Sequence, residues 1–276
     1  MSHLEYYGLK KEPFSIMPLT DFYYNNEQHD RAYLHLHRAI QAMKGLALLT
    51  GPVGTGKSLL ARRLFESLPE EEYEVSLLVV LHSDVDSNWL VRRIAAQFGI
   101  EVKEDEKKVD IMTRLYRRLE EIAETGKRAA VLIDEAHMLR TQDLLEEIRG
   151  LLNLELPEQK LISFVFFGMP ELDQVIALEP ALAQRTAVRC ELKPFPQNVM
   201  VDYIRFRLQH AGASREIFSG AALAAIFSFS KGIPRLVNVI CDNALFEGYI
   251  RKASFPLTPD IIMSVAEDLR LVAANN

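Results

Sequence analysis

Short apolar runs alternate with helical patterns from residue 29 to residue 192. Five runs are continuous, as in strands that are covered on both faces of a parallel sheet: Leu46–Thr50, Val75–Leu81, Ala129–Ile133, Leu161–Phe167 and Ala187–Leu192. Apolar positions at helical spacing predict the intervening helices: His29–Met43, Leu59–Leu68, Asp86–Phe98, Asp110–Thr125 and Gln142–Leu152. This alternation predicts an α/β domain with a parallel five-stranded sheet.

The pattern changes at the stiff connector Lys193-Pro194-Phe195-Pro196. Beyond it only helices are predicted: Asn198–Gln209, Ser219–Phe229, Pro234–Arg251 and Pro259–Val272. Thr258 is expected to cap the last helix through its hydroxyl. We therefore predict a first domain over residues 1–193 and a small helical domain over residues 194–276.

Residues 1–28 form an aromatic leader, which we assign to the first domain. Its aromatic residues are Tyr6, Tyr7, Phe14, Phe22, Tyr23 and Tyr24. A segment this rich in aromatic side chains is expected to pack against a domain, because exposing them to water is unfavourable. The leader has no basic start followed by an apolar stretch, so it is not a signal peptide.

Composition narrows the functional classes. The chain has 276 residues, 49% hydrophobic and 25% charged, with a formal net charge of −6. That profile is typical of a globular protein, and the acidic balance argues against general nucleic-acid binding. The basic pairs Arg62–Arg63, Arg92–Arg93 and Arg117–Arg118 are interpreted as solvated helix faces. No apolar stretch is long enough for a membrane span, so we expect a cytoplasmic protein.

A phosphate-binding loop follows the first predicted strand. Residues 50–58 read TGPVGTGKS, which matches G-x-x-x-x-G-K-[ST] between a strand and a helix. In this pattern the backbone N–H groups and the helix N-terminus face a phosphate. Lys57 would neutralise the β- and γ-phosphates of ATP, and Ser58 would bind Mg²⁺. The residues expected to contact the nucleotide are Gly51, Pro52, Val53, Gly54, Thr55, Gly56, Lys57, Ser58 and Leu59.

Two adjacent carboxylates end the third predicted strand. Asp134 is expected to hold Mg²⁺ at the carboxyl edge of the sheet, and Glu135 to act as the general base for the attacking water. With Ala136 and His137 they also spell the helicase box D-E-A-H. We discount a helicase, because the sequence contains a single phosphate-binding loop and no second motor domain.

Two arginines are further candidates. Arg185 precedes the fifth predicted strand, and Arg235 begins a C-terminal helix. Arginine can stabilise the charge of a transferring phosphoryl group, within one subunit or from a neighbour. Spacing alone favours an ordinary surface or capping arginine at each position.

Several segments together resemble one family. They are Phe14-Ser15, the phosphate-binding loop, LIDEA at 132–136, G-x-P-E-L at 168–172, AQR at 183–185 and GIPRLVN at 232–238. From about Tyr6 to Ala253 the chain resembles the general secretion pathway protein A (ExeA) branch of the AAA+ ATPases, which is related to the transposition ATPases. The resemblance implies a P-loop NTPase sheet in the order 5-1-4-3-2, followed by a helical lid.

The resemblance also implies roles for the two arginines. Arg185 resembles the arginine finger that reaches the ATP of the next subunit, and Arg235 resembles the lid arginine that senses the γ-phosphate in its own subunit. A finger acting across subunits implies a homo-oligomer, such as a hexameric ring.

Two features depart from the family pattern. Secretion-type members continue into a membrane helix and a peptidoglycan-binding part, neither of which occurs in this sequence. The family usually has Gln in G-Q-P-E-L, where this chain has Met169. A thioether is a weak acceptor and donates no hydrogen bond, so slow hydrolysis is expected.

Three functions are compatible with these observations. The first is an ATP-driven assembly motor or switch that works with a protein partner in a secretion, pilus or envelope-export system, recruited to the inner membrane by that partner. The second is a DNA-binding ATPase regulator of the transposition type, which the acidic net charge disfavours. The third is an ATP-bound scaffold that hydrolyses almost nothing, which Met169 suggests.

Overall fold

The computed structural model describes residues 2–15 and 22–273. Residues 1, 16–21 and 274–276 lie outside the described residues, and they include part of the predicted leader and the outer ends of both predicted domains. Contacts between Cα atoms divide the chain into two units. The α/β unit contains Glu27–Pro52 and Lys57–Leu192, and the helical unit contains Met1–Asn26, Val53–Gly56 and Lys193–Asn276.

Twelve α-helices are found among the described residues. In chain order they are α1 (His3–Tyr7), α2 (Glu27–Gln41), α3 (Lys57–Glu66), α4 (Ser87–Gln97), α5 (Lys108–Glu124), α6 (Gln142–Leu152), α7 (Leu172–Ala177), α8 (Pro180–Gln184), α9 (Gln197–His210), α10 (Gly220–Ser230), α11 (Pro234–Ile250) and α12 (Pro259–Asp268). Within the described chain, no helix combines the length and apolar composition that a membrane span needs.

The α/β unit is built on a five-stranded parallel sheet. Its strands are β1 (Leu46–Thr50), β2 (Tyr73–Val79), β3 (Arg128–Asp134), β4 (Ile162–Gly168) and β5 (Thr186–Glu191). They lie in the order 5-1-4-3-2, which confirms the predicted fold class and strand order. β1 and β4 are buried throughout, whereas β5 alternates between half-buried and exposed residues, as expected of an edge strand.

Two helices of this unit show why their sequences form helices at these positions. The buried residues of α5 are Ile111, Leu115, Leu119 and Ile122, spaced so that they form one stripe facing the core. Asp86 caps α4 by accepting a hydrogen bond from the Trp89 N–H at 2.7 Å. The sequence did not predict a short antiparallel ribbon of Glu155–Leu156 with Gln159–Lys160. Its strands are too short and polar to show a period.

The helical unit has a core of its own, and the leader is part of it. Tyr7, Phe14 and Phe22 are buried together with residues of α9–α12. The Tyr7 hydroxyl donates a hydrogen bond to the Leu245 carbonyl at 2.8 Å, and burial raises the pKa of Tyr7. The assignment of the leader to the first domain is therefore corrected, because its aromatic side chains complete the core of the C-terminal helices.

Two smaller expectations have different outcomes. The Thr258 hydroxyl does not cap α12 but donates to the Asp260 carboxylate, so the capping prediction is wrong. Pro259 does occupy the first turn of that helix, as expected. The boundary between the two predicted domains, at residues 193 and 194, remains a prediction.

Candidate nucleotide-binding site

The loop between β1 and α3 has the backbone that a phosphate-binding loop needs. Gly54 and Gly56 have φ angles of +82° and +102°, in the left-handed region that glycine tolerates best. The Gly51 N–H donates a hydrogen bond to the Gly168 carbonyl at 3.2 Å, which attaches the start of the loop to the end of β4. The loop is thereby placed at the carboxyl edge of the sheet, where ligands bind in open α/β folds.

Lys57 is buried at the first position of α3. Its ammonium donates hydrogen bonds to the carbonyls of Gly51 at 2.8 Å and Pro52 at 3.0 Å. Burial lowers the pKa of Lys57, and the nearby carboxylates of Glu135, Asp134 and Glu171 partly oppose that shift. The ammonium is held by neutral carbonyls of its own loop, so a phosphate oxygen can replace them with a stronger, charge-assisted partner.

Asp134 and Glu135 are adjacent in sequence but have different environments. Asp134 is buried at the end of β3, and its Oδ1 atom accepts a hydrogen bond from the Glu135 N–H at 2.9 Å. Glu135 has a left-handed backbone with φ of 56°, and 44% of its side chain is exposed. Such a conformation is uncommon outside glycine and is concentrated at functional sites. One carboxylate is fixed inside the site, and the other reaches solvent.

Ser58 and Asp134 carry oxygen atoms of the kind that bind Mg²⁺. Ser58 lies in the first turn of α3 with an exposed side chain, and Asp134 ends the strand that is two positions away from β1 in the sheet. In the described part of the chain, no group of three or more His, Cys, Asp or Glu residues is arranged to hold a metal alone. Mg²⁺ is commonly held by one or two protein oxygens together with substrate phosphates and water, so two protein ligands are sufficient.

The sequence prediction missed the contacts of His137. This side chain is buried, and its Nδ1 atom lies 3.3 Å from Glu135 Oε2 and accepts a hydrogen bond from the Met169 N–H at 3.4 Å. The available signal is the D-E-A-H tetrad at 134–137, which places His137 two residues after Glu135. Glu171 belongs to the G-x-P-E-L motif, which by itself does not indicate its electrostatic effect on Lys57.

Arg185 lies at the opposite edge of the sheet from Lys57. Its carbonyl accepts a hydrogen bond from the N–H of Leu46, the first residue of β1, whereas Lys57 follows the other end of that strand. The guanidinium donates hydrogen bonds to the Ala181 carbonyl at 2.9 Å and to Asn153 Oδ1 at 2.8 Å. Within its own α/β unit, Arg185 is therefore separated from Lys57 by the length of β1.

Arg235 is the second residue of α11, and its side chain is exposed. It belongs to the helical unit, which also includes Val53–Gly56. Within that unit the Arg235 N–H donates a hydrogen bond to the Gly54 carbonyl at 3.2 Å. A Cβ atom at Gly54 would lie 2.8 Å from the Arg235 Cβ, so this glycine is required by close packing as well as by its φ angle.

The sequence matches a known protein family and a known relative. Residues 40–176, which contain the loop, Asp134, Glu135 and Met169, match the family described as AAA domain. This part of the chain is an AAA domain. This AAA+ protein is 36% identical over 268 residues to General secretion pathway protein A of Aeromonas hydrophila. The match covers 96% of this chain and 48% of that protein, so the chain spans about half the length of the curated relative it matches.

Solved structures share the fold of this AAA+ protein. Cdc6p from Pyrobaculum aerophilum has a TM-score of 0.68 at 17% identity, covering 93% of this chain and 70% of that one. The Aeropyrum pernix ORC2 protein, solved as ADPNP-ADP complexes, has a TM-score of 0.64 at 14% identity, covering 92% and 72%. Drosophila ORC bound to DNA has a TM-score of 0.69 at 15% identity, covering 98% and 66%. At these identities the likeness shows the fold alone, and nucleotide binding is implied by family membership.

Proposed function

We propose that this AAA+ protein binds ATP together with Mg²⁺ and hydrolyses it as an oligomeric assembly motor or switch. The observation that supports this most directly is the grouping of Lys57, Asp134 and Glu135 at one edge of the sheet. Lys57 begins the helix that follows β1, and Asp134 and Glu135 stand at the end of β3, so all three lie at the carboxyl edge of the same parallel sheet. A buried cation beside a buried and an exposed carboxylate matches the needs of phosphoryl transfer.

Each residue has a chemical task in this proposal. Lys57 neutralises the β- and γ-phosphates, while backbone N–H groups of Gly51–Leu59 bind their oxygens. Ser58 and Asp134 hold Mg²⁺, which screens the negative charge of the phosphates when it is bound. Glu135 accepts the proton of the attacking water, and its partial exposure leaves room for that water.

The positions of Arg185 and Arg235 support the proposal of a homo-oligomer. Arg185 stands at the edge of the sheet opposite Lys57, so contact with a γ-phosphate requires a neighbouring subunit. Arg235 is proposed to act within its own subunit, and its backbone hydrogen bond to Gly54 supports that role. A homo-oligomeric ring, for example a hexamer, would place an Arg185 at each site.

The proposed setting is a secretion, pilus or envelope-export system, and it rests on the name of the Aeromonas hydrophila relative. The protein would act in the cytoplasm and be recruited to the inner membrane by a protein partner. Specific contacts do not favour the DNA-regulator alternative. The guanidinium of Arg92 donates to the carbonyls of Lys103, Glu104 and Glu106. Arg118 donates to the Phe98 carbonyl and pairs with Glu74, so neither arginine is free to bind DNA phosphates.

ATP hydrolysis by the purified chain tests the proposal, measured with Mg²⁺, with excess EDTA, and with Mg²⁺ plus duplex DNA. We expect turnover that requires Mg²⁺ and does not respond to DNA. Stimulation by DNA would favour the transposition-type regulator. Tight ATP binding without turnover would indicate the ATP-bound scaffold, and absence of nucleotide binding would refute the site itself.

A further inference from the structure

The Nδ1 atom of His137 lies within reach of both a hydrogen-bond donor and a hydrogen-bond acceptor. Nδ1 lies 3.4 Å from the Met169 backbone nitrogen, whose N–H it accepts, and 3.3 Å from Glu135 Oε2. A ring nitrogen is either a donor or an acceptor, so Nδ1 can bond the carboxylate only when it carries a proton, and the amide only when it does not. The two contacts are therefore alternatives.

The surrounding chain fixes the imidazole in this place. His137 lies in the 3₁₀ turn Ala136–Met138, directly after Glu135, and only 6% of its side chain is exposed. A Cβ atom at Gly168 would lie 3.2 Å from the His137 backbone nitrogen, so the end of β4 passes very close to the turn. The ring is thus held between the carboxyl ends of β3 and β4.

The side chain of Met169 offers no hydrogen-bond donor at this edge of the sheet. Met169 presents a thioether, which donates no hydrogen bond and accepts only weakly. It therefore supplies no hydrogen-bond donor to the Glu135 carboxylate. His137 is buried within reach of that carboxylate and can donate to it.

We propose that His137 is a positioning residue for ATP hydrolysis, which orients the Glu135 carboxylate when its Nδ1–H donates to that carboxylate. The inference rests on the proposed function, since it concerns the base of that reaction. When Nδ1–H donates to Oε2, the carboxylate is held in one orientation for the attacking water. When Nδ1 accepts the Met169 N–H instead, the carboxylate loses this restraint.

Paired substitutions test the contact. Asn at position 137 places its amide near the position of Nδ1, whereas Gln places it near Nε2. We expect His137→Asn to retain most of kcat, and His137→Gln and His137→Leu to lower kcat by about 10- to 100-fold with unchanged ATP affinity. Met169→Leu is the comparison variant, because it keeps the backbone N–H and changes only the side chain, and we expect it to change kcat less than His137→Gln does. Thermal midpoints, measured for every variant, identify losses that arise from unfolding.

A double-mutant cycle with Glu135→Gln separates positioning from packing. If His137 acts through Glu135, His137→Gln should lower kcat in the wild-type background and have no further effect in the Glu135→Gln background. Equal rates for His137→Asn and His137→Gln, an increase in kcat, or the same decrease in both backgrounds would overturn the proposal. A wild-type rate for Glu135→Gln alone would instead refute the proposed function, so the two failures are distinguishable.

Discussion

The two units bury polar side chains for different purposes. In the helical unit the buried polar groups bond one another: the Tyr203 hydroxyl donates to Asn238 Oδ1 at 2.8 Å and accepts from Arg207 at 2.7 Å. Arg207 also donates to the Pro13 carbonyl and so holds the leader. In the α/β unit, Lys57, Asp134 and His137 are buried at one edge of the sheet and bond mainly backbone groups beside them.

We infer that the buried polar groups of the helical unit stabilise its fold, whereas those at the sheet edge are available to a ligand. Buried polar groups need partners, and a closed network such as that of Arg207 has little capacity left for a ligand. Lys57 has partners that a ligand can replace, because they are carbonyls of the loop that would surround the phosphate. Substitutions in the helical unit should therefore change stability, and substitutions at the sheet edge should change binding or turnover.

The largest effect is expected where the leader enters the helical core. Phe14 is 1% exposed, so Phe14→Ala should lower the free energy of unfolding by about 3–5 kcal/mol, through lost apolar burial and a cavity. Denaturant titration measures this change. Phe246→Ala is the matched control, since Phe246 is 53% exposed, and its loss should be much smaller. Equal losses would contradict the view that the leader belongs to the helical core.

At the sheet edge, Glu135→Gln should abolish turnover without abolishing binding. The amide keeps the shape of the side chain but cannot accept the proton of the attacking water, so kcat should fall by about 10²-fold or more. Steady-state kinetics and equilibrium binding of ATP with Mg²⁺ measure the two effects separately. Wild-type turnover would show that Glu135 is not the base.

Lys57→Ala should act on binding instead. Loss of a charge-assisted contact to phosphate should weaken ATP affinity by about 2–3 kcal/mol, or ~30- to 150-fold. Titration with a fluorescent ATP analogue measures the affinity. Lys57→Met keeps most of the buried aliphatic stem and should lose as much affinity, which separates the charge from packing. Unchanged affinity in both variants would refute the assignment of the loop.

The smallest expected signal is partial rescue between two inactive variants. If Arg185 acts across an interface, mixing Lys57→Ala with Arg185→Ala subunits should restore some hydrolysis, because some mixed interfaces pair an intact loop with an intact arginine. The wild-type rate per subunit should also rise with protein concentration as the oligomer forms.

A second donor tests Arg235 in the same mixture. A Lys57→Ala, Arg235→Ala double variant should rescue Arg185→Ala equally well, because the lid arginine of the inactive donor is not needed. Asn153→Ala removes one local partner of Arg185 but keeps the guanidinium, so it should remain active alone. No rescue, with mixed oligomers confirmed by light scattering, would mean that Arg185 does not act across subunits.

The local pattern of apolar and polar residues was sufficient to predict several strands and helices of the α/β unit. Strand Leu46–Thr50 and helix Gln142–Leu152 have the predicted bounds, because apolar runs and helical spacing report directly on burial. The loop with Lys57 was recognisable for a related reason. Phosphate binding by backbone N–H groups requires glycines and a lysine at fixed spacing within one continuous segment.

Only the tertiary structure decided which distant segments meet. Arg207 and Pro13 are 194 residues apart, and their contact places the leader on the C-terminal helices. His137 and Met169 are 32 residues apart and meet because β3 and β4 are adjacent in the sheet. Each residue alone is unremarkable in the sequence. Contacts of this kind depend on how whole elements pack, which no local spacing encodes.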